Sequence, residues 1–390
     1  MSTYYIQTDI TLEEKAIFSK NLSPGNIYYS FDYIPGSILW GMFASLFPKN
    51  NVQKFQKFYE TFFQNKVIFT NLYPSIIGAN IVALPLPLST FGCKYKSGWT
   101  KKSIISEKHK FFDYLLDISK INGRCQKCSS EKKSFTNGFY YKEGNTYNSY
   151  NTEKTIDMHN HIDDESQSTK IVDGLYSYEV LTKEQKFTGY LILHGEWKEF
   201  KEINGLIDSI NGRRISIGKG RNNGYGSSII NFIVGENYEL NNEVRLYLGL
   251  GDKLNLSEKE HKFTLTFLSD SFLLDKYGNY FTYVDEIILC DILNLNYDFN
   301  SNFKPENFEL IRSFCRTKEI DGFNIKHNLP KNKMIGLQKG SAFYFDYIAS
   351  EYSKLNERLL EIERNGVGIR KSEGYGMVAI NLPYHKENIE

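Results

Sequence analysis

The sequence predicts an α+β fold made of two tandem copies of one split strand–helix–strand unit, and three observations carry that prediction. Strand-like alternation opens each half, over Thr3–Asp9 and Lys262–Leu268. A helix, a glycine loop and a closing strand end each half in the same order. The Gly-Tyr-Gly triplets of the two loops, beginning at Gly224 and Gly374, lie 150 residues apart.

Bulk properties agree with a folded, two-domain chain. Of 390 residues, 41% are hydrophobic and 24% charged, and 47 Lys+Arg face 46 Asp+Glu for a net charge of +1. That excludes disordered, collagenous and supercharged chains and leaves room for two cores. Five cysteines, an odd number with two in a CxxC, fit a reducing compartment and metal binding better than a disulfide framework. Met1–Ile10 has no basic region followed by an apolar core, and no helix-like apolar stretch approaches the ~20 residues a bilayer needs. A cytoplasmic protein with no membrane contact is expected.

Taken in order, Thr3–Asp9 reads as a half-buried strand and Tyr28–Tyr33 as a short extended piece. Pro35 suits a helix start, with Ser37 as a cap and Ile38, Met42, Phe43 and Leu46 at helical spacing. A second helix runs over Val52–Gln64. From about Pro85 to Asp173 the chain is rich in Lys, Ser, Asn and Gly, which predicts a long irregular insertion. Phe187–His194 reads as a strand, Lys201–Ile210 as a helix and Ser228–Val234 as a strand. A polar linker follows over Glu236–Glu260. The second half repeats the pattern, with a helix over Tyr347–Glu363 and a strand over Met377–Leu382, and its loop carries two extra residues. Strand, helix, strand taken twice is the ferredoxin-like arrangement. The expected domains are 1–245, with the insertion at about 85–173, and 246–390.

Glycines at alternate positions let a backbone approach a ligand and turn its N–H groups toward phosphate oxygens. The first loop carries Gly218, Lys219, Gly220, Arg221 and Tyr225, with Arg213 and Arg214 just before it and no acidic residue between Ile210 and Ile230. The second carries Gly366, Gly368, Arg370, Lys371 and Tyr375, against Glu373. Each follows a helix and precedes a strand, the reverse of a dinucleotide-binding loop, and no Walker motif is present. Matched loops with cations favour a polyanion, although a pair of plain connecting turns fits the same residues. Between Arg312 and Lys339 lie Arg312, Arg316, Lys318, Lys326, Lys331, Lys333 and Lys339, against Glu319 and Asp321. Such a local patch carries RNA affinity in a nearly neutral chain. Tyr225, Phe323 and Tyr375 beside these cations are either stacking rings or packing residues.

Cys125 and Cys128 supply half of a tetrahedral zinc site. Cys93 and His109 lie upstream at even spacing, and a metal clip through all four would order this apolar-poor stretch. Free structural cysteines are the competing reading. His159 and His161, flanked by Asp157 and Asp163, could do acid–base chemistry, bind metal, or sit solvated on an exposed loop.

Three blocks share their order with a known family. Ile34–Ser37 (IPGS) with the two glycine loops resembles the RAMP superfamily of CRISPR effector proteins. Ile162 and Asp163, then Gly174, Leu175, Tyr176, Ser177, Tyr178 and Glu179, then Phe187 and Gly189, look like its Csx-ten family of type III-D effectors. Arg316, Gly322, Phe323, Asn324, Leu329, Pro330, Gly340, Ser341 and Phe343 form the third block. The resemblance implies tandem ferredoxin-like domains and a non-catalytic, Cas-five-like subunit of an RNA-guided antiviral complex. It would hold the 5′ handle of the guide RNA and pack against a large Cas-ten-like subunit and backbone RAMP subunits. The expected RNA contacts are Arg213, Arg214, Gly218, Lys219, Gly220, Arg221, Tyr225, Arg312, Arg316, Phe323, Asn324, Lys339, Ser341, Gly366, Gly368, Arg370, Lys371 and Tyr375. The zinc expectation in Cys93 and His109 also draws on this family. The alternative is a metal-independent endoribonuclease of the same superfamily, working through His159 and His161.

Overall fold

The computed structural model describes residues 2–20, 26–79, 81–95, 109–160, 174–234, 261–275, 277–293, 304–324, 329–348 and 352–389. Six elements of the first half are β1 (Thr3–Leu12), α1 (Gly36–Leu46), β2 (Val67–Phe69), β3 (Lys186–His194), α2 (Lys201–Ile210) and β4 (Ser227–Val234). Their strands pair antiparallel in the order β4–β1–β3–β2, with Ile6 opposite Val234 and Gln7 opposite Tyr190. The second half has β5 (Lys262–Phe267), α3 (Glu286–Leu293), β6 (Phe308–Phe314), β7 (Ala342–Tyr347), α4 (Tyr352–Asn365) and β8 (Val378–Ile380). Its order, β8–β5–β7–β6, is the same order again.

Period-two alternation explains the two cores. Ile6, Ile10 and Leu12 of β1 face the helices and pack with Leu39, Phe43, Leu191, Ile203 and Ile207. Phe263 and Leu265 of β5 pack with Leu289, Phe343, Leu355 and Leu359. Tyr5, Ile68, Tyr190 and Ile192, on the opposite face of the first sheet, meet Met377 of the second half. The halves also share a cluster of Tyr33, Tyr73, Leu84, Phe139, Leu268 and Tyr384. Among the described residues no helix is long and apolar enough to cross a membrane.

Several expectations need correction. The described part of the stretch from Pro85 to Asp173 is not irregular: strands form at Thr90–Cys93, Phe111–Asp113, Lys132–Ser134, Phe139–Glu143, Thr146–Tyr150 and Lys154–Asn160. Most are five residues or fewer, too short to show a hydrophobic period. Tyr347 ends a strand, and the helix that follows runs Tyr352–Asn365. Ser37 does not cap α1; Asn71 Oδ1 accepts from the Gly36 N–H at 2.9 Å instead.

The loop repeat is tighter than the sequence suggests. Ile217 N–H donates to Gly226 O, and Val367 N–H to Gly376 O. Lys219 N–H donates to Ile17 O and Ile369 N–H to Phe272 O, while Gly226 and Gly376 donate to Lys15 O and Asp270 O. Each bond has its partner 150 residues on at the loop end, so Gly218 matches Gly368, Gly220 matches Arg370 and Arg221 matches Lys371. The expected two-residue insertion is absent from this turn. A Cβ on Gly226 or Gly376 would lie 1.9 Å from the Ile217 or Val367 carbonyl oxygen, so both positions require glycine.

Candidate nucleic-acid interface and metal centre

The two copies of the loop have different surroundings. Arg221, Asn222, Asn223 and Gly224 of the first are exposed, as are Arg213 and Lys219. The second is docked on the first half: Ser372 N–H donates to Asn65 Oδ1 (3.2 Å) and its Oγ to Phe62 O (3.0 Å). A Cβ on Gly374 would lie 2.7 Å from Phe69 O.

Their cations differ in the same way. Arg370 is paired with Glu373 and lies 5.0 Å from the Tyr375 ring centroid, while Tyr375 packs on Phe272. Burial lowers the Lys371 pKa, with Glu361 opposing it. In the first loop Arg214 grips Glu13 with Nε at 2.5 Å and Nη2 at 3.0 Å. Arg213, Lys219 and Arg221 have no carboxylate partner among the described residues. The Lys219 ammonium lies 3.7 Å from the Tyr28 ring centroid and 5.1 Å from that of Tyr178, and burial lowers its pKa.

Tyr225 is buried, which makes it a packing residue with a polar end. Its hydroxyl donates to Asp157 Oδ2 at 2.9 Å and meets His159 Nε2 at 2.9 Å. Lys15 Nζ closes the chain on Asp157 Oδ1 at 2.7 Å. Burial raises the Asp157 pKa, but the hydrogen bonds from Lys15 and Tyr225 outweigh it and hold the carboxyl below its usual range. Burial, then the Asp157 carboxylate, pushes the Tyr225 phenol up to about 12. Since Tyr225 donates to Asp157, its oxygen accepts from His159, which places a proton on Nε2. His159 therefore belongs to a fixed network rather than a solvated loop, and its ring stacks on Tyr176 at 5.3 Å and 15°. His161 lies outside the described residues. Lys15, Asp157, Thr182, Lys183, Asn223 and Tyr225 line an open cleft of about 500 Å³.

Of the cations from Arg312 to Lys339 whose side chains are described, most are engaged. Arg312 Nη1 donates to Leu115 O at 2.6 Å, Lys318 pairs with Asp270 at 2.6 Å and Lys333 with Glu319 at 3.7 Å. Lys339 is buried, with its N–H on Asp270 and its Nζ 4.1 Å from the Tyr33 ring centroid. Burial brings its pKa down to about 7. Ser341 is buried and donates to Gln338 O, and Arg316 N–H meets Ser341 Oγ at 3.4 Å. Phe323 and Asn324 pair through their backbone with Pro330 and Leu329. Lys326 lies outside the described residues.

The four expected metal ligands converge. Ligand atoms of Cys93, His109, Cys125 and Cys128 all lie within 4.8 Å of one another. Cys93 and Cys128 sulfurs are 3.5 Å apart, and His109 Nδ1 is 3.1 Å from Cys125 Sγ and 3.4 Å from Cys128 Sγ. A tetrahedron with zinc–sulfur bonds of about 2.3 Å has edges near these lengths, and three thiols with one imidazole are a zinc donor set. Cys93 ends a strand held on both sides, and the Ser129 N–H to Cys125 O bond makes the tight turn that aims both CxxC sulfurs inward.

An α+β chain with two sheets of one strand order and a cationic glycine loop is thereby defined. It belongs to the RAMP superfamily, whose family model matches residues 18–230. No curated protein matches it. Among solved structures it is similar to a type III-B Cmr-beta chain bound to cognate target RNA and AMPPnP, at 12% identity, 87% of this chain and 86% of that one, TM-score 0.42. It is also similar to a chain of a Cas6 product complex, at 10% identity, 97% and 99% coverage, TM-score 0.43. Thermus thermophilus Cas6 is similar over 50% of this chain and 75% of that one, at 12% identity and TM-score 0.32.

Proposed function

We propose that this chain is a non-catalytic, guide-RNA-binding subunit of a type III CRISPR effector complex of the III-D kind, holding the 5′ handle of the guide. The observation that carries the reading is the exposed first loop, where Arg213, Lys219 and Arg221 have no carboxylate partner among the described residues, in a chain of the RAMP superfamily. Cations free of local partners are the ones that can neutralise phosphates and release counterions. In this reading the chain is two tandem ferredoxin-like domains, 1–245 and 246–390, zinc staples the insertion, and the partners are a large Cas-ten-like subunit and backbone RAMP subunits in the cytoplasm. The test is to purify the chain with the products of its neighbouring genes and sequence the RNA that accompanies it. RNAs sharing one repeat-derived 5′ end are expected; an intact, folded assembly without RNA contradicts the proposal.

A second reading, RNA cleavage without a metal, draws support from the His159–Tyr225–Asp157 network, which fixes one tautomer of a histidine beside the same loop. It requires His159→Ala to abolish cleavage while RNA binding persists. The non-catalytic reading expects no cleavage from the wild type.

A further inference from the structure

The duplicated loops act as an internal control. The left-handed positions and four backbone hydrogen bonds of the loop match between the copies, so side chains that differ at matched positions reflect different uses. Lys219 of the first loop corresponds to Ile369 of the second. Lys219 stands over a tyrosine pair, and Ile369 forms a bridge with Phe272 inside the second half. At this position only the first copy carries a cation, and it lies over the rings of a neighbouring sheet rather than over a ring of its own loop.

That face belongs to a three-stranded sheet of Ile27–Tyr28, Lys154–Asn160 and Leu175–Leu181. The register sets Asp157 opposite Tyr178, Tyr178 beside Tyr28, and His159 opposite Tyr176, so all five share one side. Tyr28, Tyr176, Tyr178 and His159 are each only half-buried. Their centroids form a continuous cluster: Tyr28–Tyr178 at 5.3 Å, Tyr176–Tyr178 at 5.3 Å and His159–Tyr178 at 5.1 Å. The arrangement is rigid at one end, where Lys15, Asp157 and Tyr225 hold His159 through Nε2. His159 Nδ1 has no partner among the described residues.

Two demands of this site are unmet. Among the described residues Lys219 has no anion beside it, and four flat rings are each only half-buried. A single nucleotide meets both, because its phosphate neutralises the ammonium and its base covers the rings. We infer that Tyr28, Tyr176, Tyr178, His159 and Lys219 form a stacking site for one unpaired nucleobase of the bound RNA. This rests on the guide-binding reading and adds to it: the site takes single-stranded RNA with a base turned outward. A paired base keeps its faces inside the duplex and cannot stack here.

The test measures the full-length chain against a 12-nucleotide oligouridine and an RNA duplex of equal length, over a range of salt. Tyr28→Leu and Tyr178→Leu are expected to weaken oligouridine binding about ten-fold each without changing its salt slope, because a stacked base carries no charge. Tyr178→Phe keeps the ring and should bind like wild type, which separates loss of stacking from loss of folding. Lys219→Ala should lower both affinity and salt slope. Duplex binding should not respond to the tyrosine variants. With 5-bromouridine in the oligonucleotide, ultraviolet light should link it to Tyr28, Tyr176 or Tyr178. If both leucine variants bind as wild type while Arg221→Glu still weakens binding, the stacking site is wrong and the RNA reading stands. If wild type binds neither RNA, the RNA reading falls, and this site with it.

Discussion

Gly220 and Arg370 hold the same place in two copies of one loop, and both are left-handed, at φ 74° and 58°. In an L residue that conformation costs roughly 1 kcal/mol. Arg370 adopts it while its guanidinium is fixed on Glu373 and the Tyr375 ring. Backbone strain and side-chain anchoring therefore oppose each other in the second loop. Arg370→Gly should lose about 1 kcal/mol less stability than Arg370→Ala, since only glycine recovers the backbone cost. Equal losses in urea titrations would contradict this.

Gly226 and Gly376 test the duplication itself. Alanine at either position meets a carbonyl oxygen at 1.9 Å, so both variants should lose several kcal/mol or fail to fold. Gly224 also has a positive φ, but a Cβ added there would meet nothing within 4 Å, so Gly224→Ala should cost only about 1 kcal/mol. A urea midpoint for Gly224→Ala well above that for Gly226→Ala checks the contrast.

Lys339 should make stability depend on pH. Burial lowers its pKa from 10.5 to about 7, so between those values the unfolded chain holds a proton that the folded chain lacks. Stability contributed through this group thus rises as pH rises across that window. Lys339→Met removes the effect, and Lys318 still pairs with Asp270. The variant should be more stable than wild type at pH 6, with the advantage shrinking toward pH 10. A pH-independent difference in urea midpoints would argue against a desolvated lysine.

Metal removal should act on the insertion. Protein purified without a polyhistidine tag should carry about one zinc per chain. Stripping it, or changing Cys125→Ser, should lower the melting temperature and expose the strands around Cys93 to hydrogen exchange, leaving β1 and β5 protected. Less than half an equivalent of zinc in folded protein would remove the site.

Much of this was legible in the sequence where the signal was local. Alternation over Thr3–Asp9, the two Gly-Tyr-Gly triplets and the CxxC each depend on neighbours within a few residues. The loop register misled because Gly366 and Gly368 mimic Gly218 and Gly220, whereas the backbone places left-handed residues at Gly368 and Arg370; identity of side chain and identity of conformation part company there. Lys15 and Asp157 are 142 residues apart and leave no local trace of their pairing. Tyr28 and Tyr178 were hidden among many tyrosines until the strand register brought them together. The cations of Arg312–Lys339 read as one patch along the chain, but a buried Asp270 and the Leu115 carbonyl claim several of them.

On the proposed function the first loop meets RNA while the second joins the two halves. The salt dependence of RNA affinity in Arg221→Glu and Arg370→Glu separates the two roles. Arg221→Glu should weaken binding and reduce the salt slope by about one, with stability unchanged. Arg370→Glu should leave the slope at its wild-type value and lower stability, because it breaks the pair with Glu373. The opposite pattern, a reduced slope in Arg370→Glu and none in Arg221→Glu, would contradict the account.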